Sequence, residues 1–136
     1  MFQTTFSPDG RWICFNAVRA GDYRTSTLFV VPSMGGPWTQ VTEGRFWDDN
    51  PRWAPDGNTI YFLSSRARGG LFFGVWGIRF DPHGGRAAGK AFQVTRFDPR
   101  ERLILMADGL SMTVGRERLV VTISQVSGNV WVLEHP

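Results

Sequence analysis

The chain contains an internal repeat. The segment from Phe6 to Phe15 reads as an aromatic residue, a small residue, Pro-Asp-Gly, two variable residues and an apolar run, and this order returns from Trp53 to Phe62. Two later anchors recur as well: Gly35-Gly36 as Gly84-Gly85, and Gln40-Val41-Thr42 as Gln93-Val94-Thr95. Anchors that keep their order at a period of about fifty residues indicate a repeat architecture.

Each copy begins with a tight turn. The turn residues are Pro8, Asp9 and Gly10 in the first copy and Pro55, Asp56 and Gly57 in the second. Proline presets φ for an early turn position, aspartate can accept a hydrogen bond from the backbone two residues on, and glycine adopts positive φ without a Cβ clash. These six residues are therefore predicted to shape the turns.

Short runs rich in aromatic and β-branched residues follow each turn, which is typical of strands. The predicted strands cover residues 12–15, 27–31 and 38–42 in the first copy and 59–63, 73–80 and 91–95 in the second. No window has apolar spacing of three and four residues over the length of a helix. The sequence predicts an all-β protein in which each unit is an antiparallel meander of four strands.

Four-stranded units with an aromatic motif at a fixed place are typical of β-propeller blades. We predict a single partial propeller domain over residues 1–136, with blade 1 at about 1–42, blade 2 at about 43–95 and an incomplete blade 3 at about 96–136. Equivalent strand positions place four large side chains between the sheets: Phe15, Leu28, Phe62 and Trp76.

The third unit can be divided in two ways. Its first strand is either Ser111-Met112-Thr113, with the reversal at Gly115-Arg116, or the run from Leu103 to Met106. The first division is favoured because Val130-Trp131 then falls on Val75-Trp76 of blade 2.

An aromatic residue before Ser-Pro-Asp-Gly, a Gly-Gly turn and a closing Val-Thr together resemble the WD-like repeat of bacterial TolB-type β-propellers. The resemblance covers nearly the whole chain and implies a C-terminal portion of such a propeller. It departs from the family in having fewer than three complete blades, in Ala54 where serine is usual, and in a degenerate third motif.

Composition narrows the classes of partner. The net charge of +3 comes from arginines spread through every unit and mixed with acidic residues, which does not predict the basic face that nucleic-acid binding needs. No apolar stretch is long enough to insert into a membrane. A single cysteine, Cys14, excludes an intrachain disulfide and leaves both a periplasmic and a cytoplasmic location open. Because the first predicted blade begins almost directly after Met1, we expect no signal peptide within these residues.

The sequence contains no catalytic signature. The nucleophile pattern Gly-x-Ser-x-Gly is absent, and the only histidines, His83 in a turn and His135 next to the last residue, are at poor places for an oriented general base. No Cys/His cluster has zinc spacing, no P-loop is present and no glycine pair opens a helix that could hold a phosphate, so no metal and no cofactor is predicted. We expect a protein that is not an enzyme.

One polar cluster is a candidate contact site for a ligand or partner. It comprises Arg45, Trp47, Asp48, Asp49 and Arg52, immediately before the second Pro-Asp-Gly. By the family resemblance, this segment leads into an innermost strand near one mouth of the channel. The two aspartates could also ligate a hard cation. The structural alternative is a solvated connection whose polar side chains tether the turn.

Two functions remain open. The first is a non-enzymatic propeller scaffold for recognition of a protein or ligand; the second is an accessory propeller of a serine peptidase-type hydrolase whose catalytic domain is encoded elsewhere. The scaffold is favoured. So few blades cannot close a ring, so the expected partners are a recognised protein, the remaining blades of a parent chain or, if the chain is whole, a second copy.

Overall fold

The computed structural model of the protein describes residues 2–67, 73–96 and 112–123. Its first sheet, blade 1, contains strands β1 (Phe2–Phe6), β2 (Trp12–Arg19), β3 (Asp22–Pro32) and β4 (Thr39–Gln40). The strands are antiparallel and lie in chain order, which confirms the predicted meander.

Blade 2 repeats this order with one difference. Its strands are β5 (Asp48–Trp53), β6 (Thr59–Ser64), β7 (Gly74–Asp81), β8 (Arg86–Ala87) and β9 (Phe92–Gln93). Both β8 and β9 pair with β7, so the fourth strand is broken into two pieces rather than starting at residue 91. The interruption contains Gly89, whose φ of 113° is incompatible with a continuous strand.

A hairpin of β10 (Met112–Val114) and β11 (Leu119–Val121) follows. Gly115 N donates a hydrogen bond to Arg118 O at the reversal, as the favoured division of the third unit predicts. The alternative first strand at 103–106, Ser111 and the Val130-Trp131 pair lie outside the described residues.

The protein is all-β, and its antiparallel sheets are those of an incomplete propeller. The only helix in the described part of the chain is a single 3-10 turn at Ser65–Ala67. Consequently, no helix there has the length and apolar content that crossing a membrane requires. The hairpin of β2 and β3 is longer than predicted because pairing continues past Phe15 to Val18 and Ser26.

The end of each blade is fixed by one set of hydrogen bonds. Thr42 Oγ1 accepts from Leu28 N over 3.1 Å, and Val41 N donates to Leu28 O over 2.8 Å. Thr95 and Val94 make the same two bonds to Val75, over 3.0 and 2.9 Å. The Gln-Val-Thr anchor therefore attaches the outer edge of each blade to its third strand.

The main core lies between the two blades. Facing side chains of both sheets form it: Cys14, Leu28, Val30, Val41, Trp53, Ile60, Phe62, Ile78 and Phe80. Leu28 and Phe62 are buried there as predicted. Phe15 is also buried, but beneath Phe29 and Trp38 of its own blade.

Trp76 is partly buried: it packs at the edge of this core, with its indole against the guanidinium of Arg66. It is the least enclosed of the four side chains that were predicted to lie between the sheets.

Candidate functional site

The five candidate residues lie at the start of β5 and in the connection that leads to it. Asp48, Asp49 and Arg52 are part of the strand itself, whereas Trp47 is joined to Ser26 of β3 by an isolated parallel bridge. Arg45 is exposed in the connection. Because successive side chains of a strand point to opposite faces, Asp48 and Asp49 lie in different surroundings.

Asp48 is completely buried and paired. Its Oδ1 accepts a hydrogen bond from Ser64 Oγ over 2.5 Å, and Arg66 Nη2 lies 2.9 Å from Oδ2. Burial raises the pKa of this carboxyl, against the lowering effects of Ser64 and of the Arg66 charge. Asp48 thus links β5 to Ser64 at the end of β6 and to Arg66 in the 3-10 turn that follows.

Arg66 completes this arrangement. Its guanidinium Cζ lies 5.1 Å from the ring centroid of Phe46, 5.3 Å from that of Phe62 and 5.1 Å from that of Trp76. Its side chain is only 7% exposed, and Glu43 Oε2 lies 3.3 Å from Nη2. Three ring faces and two carboxylates surround the cation, an arrangement in which cation–π attraction is strengthened by desolvation.

Sequence reasoning missed Arg66, which it counted only among the arginines spread through every unit. Its partners come from separate parts of the chain: Glu43 and Phe46 from the connection, Asp48 from β5, Phe62 from β6 and Trp76 from β7. No local pattern brings these residues together.

Asp49 joins blade 2 to blade 1. Its Oδ1 accepts hydrogen bonds from Asn16 Nδ2 over 3.1 Å and from Asn50 N over 2.7 Å, and its Oδ2 accepts one from Trp47 Nε1 over 3.1 Å. Asn16 also donates to Ser26 Oγ. The Asp49 carboxylate is therefore occupied by a polar network that crosses from β2 to β5.

Arg52 connects blade 2 to the hairpin of β10 and β11. Its Nε donates to Met112 O over 2.9 Å and its Nη1 to Pro51 O over 2.8 Å. Burial lowers the pKa of this guanidinium, and the nearby Asp49 charge opposes that shift. On the other side of β5, Trp53 Nε1 donates to Thr5 O of β1 over 3.2 Å. Neighbouring residues of β5 thus attach it to both flanking strands.

Within the described residues, no three His, Cys, Asp or Glu side chains converge in a way that could hold a metal ion. Asp48 and Asp49 do not face a common point, because one is bonded to Ser64 and Arg66 and the other to Asn16 and Trp47. Of the five candidates, Arg45 alone has an exposed side chain, without an ion pair to another described residue.

The turn residues have the geometry that their types allow. Gly10 and Gly57 both have a φ of 72°, and the residue before each is an aspartate that accepts a backbone hydrogen bond from two residues on. A hydrogen bond from Ser7 is the main cause that holds the pKa of Asp9 well below its usual range, and the hydrogen bonds from Arg11 lower it further.

Two other side chains of reactive types, Cys14 and His83, lie outside the candidate cluster. Cys14 is fully buried in the core, and burial raises the pKa of its thiol. His83 is exposed in the turn after β7, where its backbone N–H donates to Asp81 Oδ1 over 3.0 Å.

No protein-family model matches the chain. It is 33% identical over 64 residues to "Uncharacterized peptidase YuxL" of Bacillus subtilis, a match that covers 47% of this chain and 9% of that protein. It is 38% identical over 65 residues to "Putative tricorn protease homolog 2" of Streptomyces coelicolor, covering 45% and 5%. A third similar protein is "Uncharacterized protein Atu1656" of Agrobacterium fabrum, at 34% over 59 residues, covering 43% and 19%. The chain thus spans less than a fifth of each relative.

Proposed function

We propose that this chain is a non-enzymatic recognition scaffold made of stacked propeller blades. One observation carries the proposal: the charged side chains that could have formed a reactive centre are bonded within and between the blades. Asp48 is paired with Arg66, Asp49 with Asn16, and Arg52 with the backbone of Met112. A framework fixed in this way can present its loops in constant positions to a protein or ligand.

A second function is favoured by the names of two relatives. A peptidase and a tricorn protease homologue each match under half of this chain, at 33% and 38% identity. The corresponding proposal is an accessory propeller that controls access to a serine peptidase-type catalytic domain in a longer protein. The TolB-type resemblance is compatible with either function, because a shared fold does not determine activity.

A turnover screen tests the scaffold proposal. The purified chain is incubated with esterase, peptidase and phosphatase substrates, and we expect no turnover. Turnover that disappears in Ser111→Ala or in His83→Ala would contradict the proposal, whereas turnover that survives both substitutions would point to another centre and contradict it equally.

The two proposals differ in what the parent gene encodes. The gene product is assayed with short and long peptides, with and without residues 1–136. An accessory propeller predicts peptidase activity in the flanking domain whose preference for short peptides is lost when the blades are removed. A scaffold predicts that no flanking peptidase activity depends on them.

A further inference from the structure

The indole of Trp12 closes one end of the junction between blade 1 and blade 2. Trp12 Nε1 donates a hydrogen bond to Pro82 O over 3.1 Å, and its ring meets Phe80 edge-on with centroids 5.7 Å apart. The ring also lies so close to Gly85 that a Cβ at that position would overlap it. The space between the blades is therefore closed at this end.

The next junction lacks that indole. Trp12 is opposite Pro32 in the register of blade 1, and the equivalent pair in blade 2 is Thr59 opposite Arg79. A threonine cannot reach the neighbouring unit as tryptophan does. A cleft of 760 Å³ lies here between blade 2 and the hairpin of β10 and β11. Its volume is in the range of about 300–1,000 Å³ that is usual for ligand sites.

About half of the cleft surface is apolar, and the residues that provide this part include Tyr61, Phe92, Val94, Val114 and Leu119. Phe92 reaches the wall because Gly77, its strand partner, has no side chain: a Cβ there would lie 2.6 Å from the Phe92 ring. The ring thus covers a strand position that a larger residue would occupy. Such walls can bury the apolar body of a ligand.

The residues that line the cleft carry a net positive charge. Arg79, Arg116 and Arg118 line it with exposed side chains, and none of them forms an ion pair with another described residue. Two carboxylates oppose them, Glu117 and Asp56, and Asp56 already accepts the backbone N–H of Asn58. Guanidinium groups bind carboxylates through paired hydrogen bonds, so the surplus cation favours an anionic ligand.

We propose that this cleft binds a ligand with an apolar body and a carboxylate, the body lying against Tyr61 and Phe92 and the carboxylate meeting the arginines. The proposal rests on the scaffold function above, of which it names the ligand class. Such a carboxylate can come from the free C-terminus of a peptide or from a fatty acid.

Isothermal titration of the whole chain distinguishes these sources. The probes are N-acetyl-alanyl-phenylalanine, its C-terminal amide and decanoate. We expect the free peptide acid or decanoate to bind, the tighter of the two identifying the source, and the amide to bind at least about tenfold more weakly than the acid. Absence of binding by both carboxylates at millimolar concentration would overturn the proposal, as would measurable binding of the peptide acid that is no tighter than that of its amide.

Two variants test whether the ligand binds in this cleft. Arg79→Gln should weaken binding by about three- to tenfold, and Thr59→Trp should abolish it by placing an indole where Trp12 stands in the first junction. The matched control is Arg24→Gln, because Arg24 is exposed on β3 and its side chain has no bond to a described residue. If Thr59→Trp does not fold, Arg79→Gln against the control decides the question.

Equal affinity in Arg79→Gln and Arg24→Gln would overturn the cleft proposal. Hydrolysis of the peptide during the titration would instead refute the scaffold function, and the two failures are therefore distinguishable.

Discussion

Ser7 makes two hydrogen bonds that its repeat partner, Ala54, cannot make. Its hydroxyl donates to Asp9 Oδ1 over 2.6 Å and accepts from Trp12 N over 2.9 Å. The backbones of the two turns match, since Gly10 N donates to Ser7 O and Gly57 N to Ala54 O, both over 2.9 Å. The second turn therefore has the right shape but lacks one bonding group.

Ala54→Ser should stabilise the protein. The new hydroxyl would lie within reach of the Asp56 carboxylate and the Thr59 N–H, and a hydrogen bond of this kind contributes about 0.5–1.5 kcal/mol. Ser7→Ala should remove a similar amount from the first turn. Urea unfolding of both variants measures the free energies. The prediction fails if Ser7→Ala destabilises the protein and Ala54→Ser does not raise its stability.

The ion pair of Arg66 with Asp48 should contribute more to the free energy of unfolding than any exposed ion pair in the described residues. Arg66→Met leaves the Asp48 carboxylate buried without its cation, which should cost about 3–5 kcal/mol. Adding Asp48→Asn to Arg66→Met removes the unpaired charge and should recover part of that loss. Chemical unfolding of the two single variants and the double variant gives the coupling free energy.

Arg86→Gln is the matched control. Its guanidinium lies 4.0 Å from Asp81, and the Arg86 side chain is 74% exposed, so the substitution should change stability by less than about 1 kcal/mol. A loss in Arg66→Met no larger than that of the control would show that the aromatic rings and Asp48 do not hold Arg66 as described.

For individual residues, the sequence predicted only those contacts that are local in the chain. The roles of Asp9 and Gly10 follow from three consecutive residues, and the structure has the expected backbone hydrogen bond and positive φ there. Whether the candidate cluster contacts a ligand stays a prediction. Its internal bonding could not be predicted, because Asp49 meets Asn16 and Arg52 meets Met112 across long stretches of chain.

The β7–β8 turn and β2 depend on each other. Gly85 has a φ of 63°, and the Trp12 ring covers the place where its side chain would be. Gly85→Ala should therefore lose stability twice, through the left-handed backbone at about 1–2 kcal/mol and through overpacking at about 1–3 kcal/mol.

Gly35→Ala separates the two losses. Gly35 has a φ of 92°, and nothing lies within 4 Å of a Cβ built there, so only the backbone cost applies. Thermal or urea unfolding should show a larger loss for Gly85→Ala than for Gly35→Ala. Equal losses would mean that the Trp12 ring moves aside without cost.

Strand order could be predicted from the sequence, whereas strand ends could not. The anchors fixed which segments pair, because turn chemistry and alternation are local properties. The length of β3 depends instead on its register with β2, where residues outside the aromatic run, such as Ala17 and Thr27, continue the ladder. The division of the fourth strand of blade 2 depends on Gly89, which reads from sequence as an ordinary loop glycine.

Among the described residues, blade 1 has one covered face and one open face. Trp53 of blade 2 lies on β1 and is 7% exposed, whereas its repeat partner Phe6 is 63% exposed. Trp38, on the same side of blade 1 as Phe6, is 54% exposed although it packs on Phe15. The exposed positions thus correspond to those that blade 2 buries against blade 1, and the occupant with a matching surface is another blade.

The chain is therefore predicted to associate through blade 1. Sedimentation at micromolar concentration should detect self-association, because an exposed aromatic sheet face of this kind is seldom left uncovered in a soluble monomer. Phe6→Glu should shift the protein towards the monomer by placing a charge on the open face. Met34→Glu should not, since Met34 is 96% exposed at the tip of a turn rather than on that face. A stable wild-type monomer that binds no hydrophobic dye would contradict the prediction, as would equal effects of the two substitutions. Either result would mean that blade 1 does not meet another blade through this face.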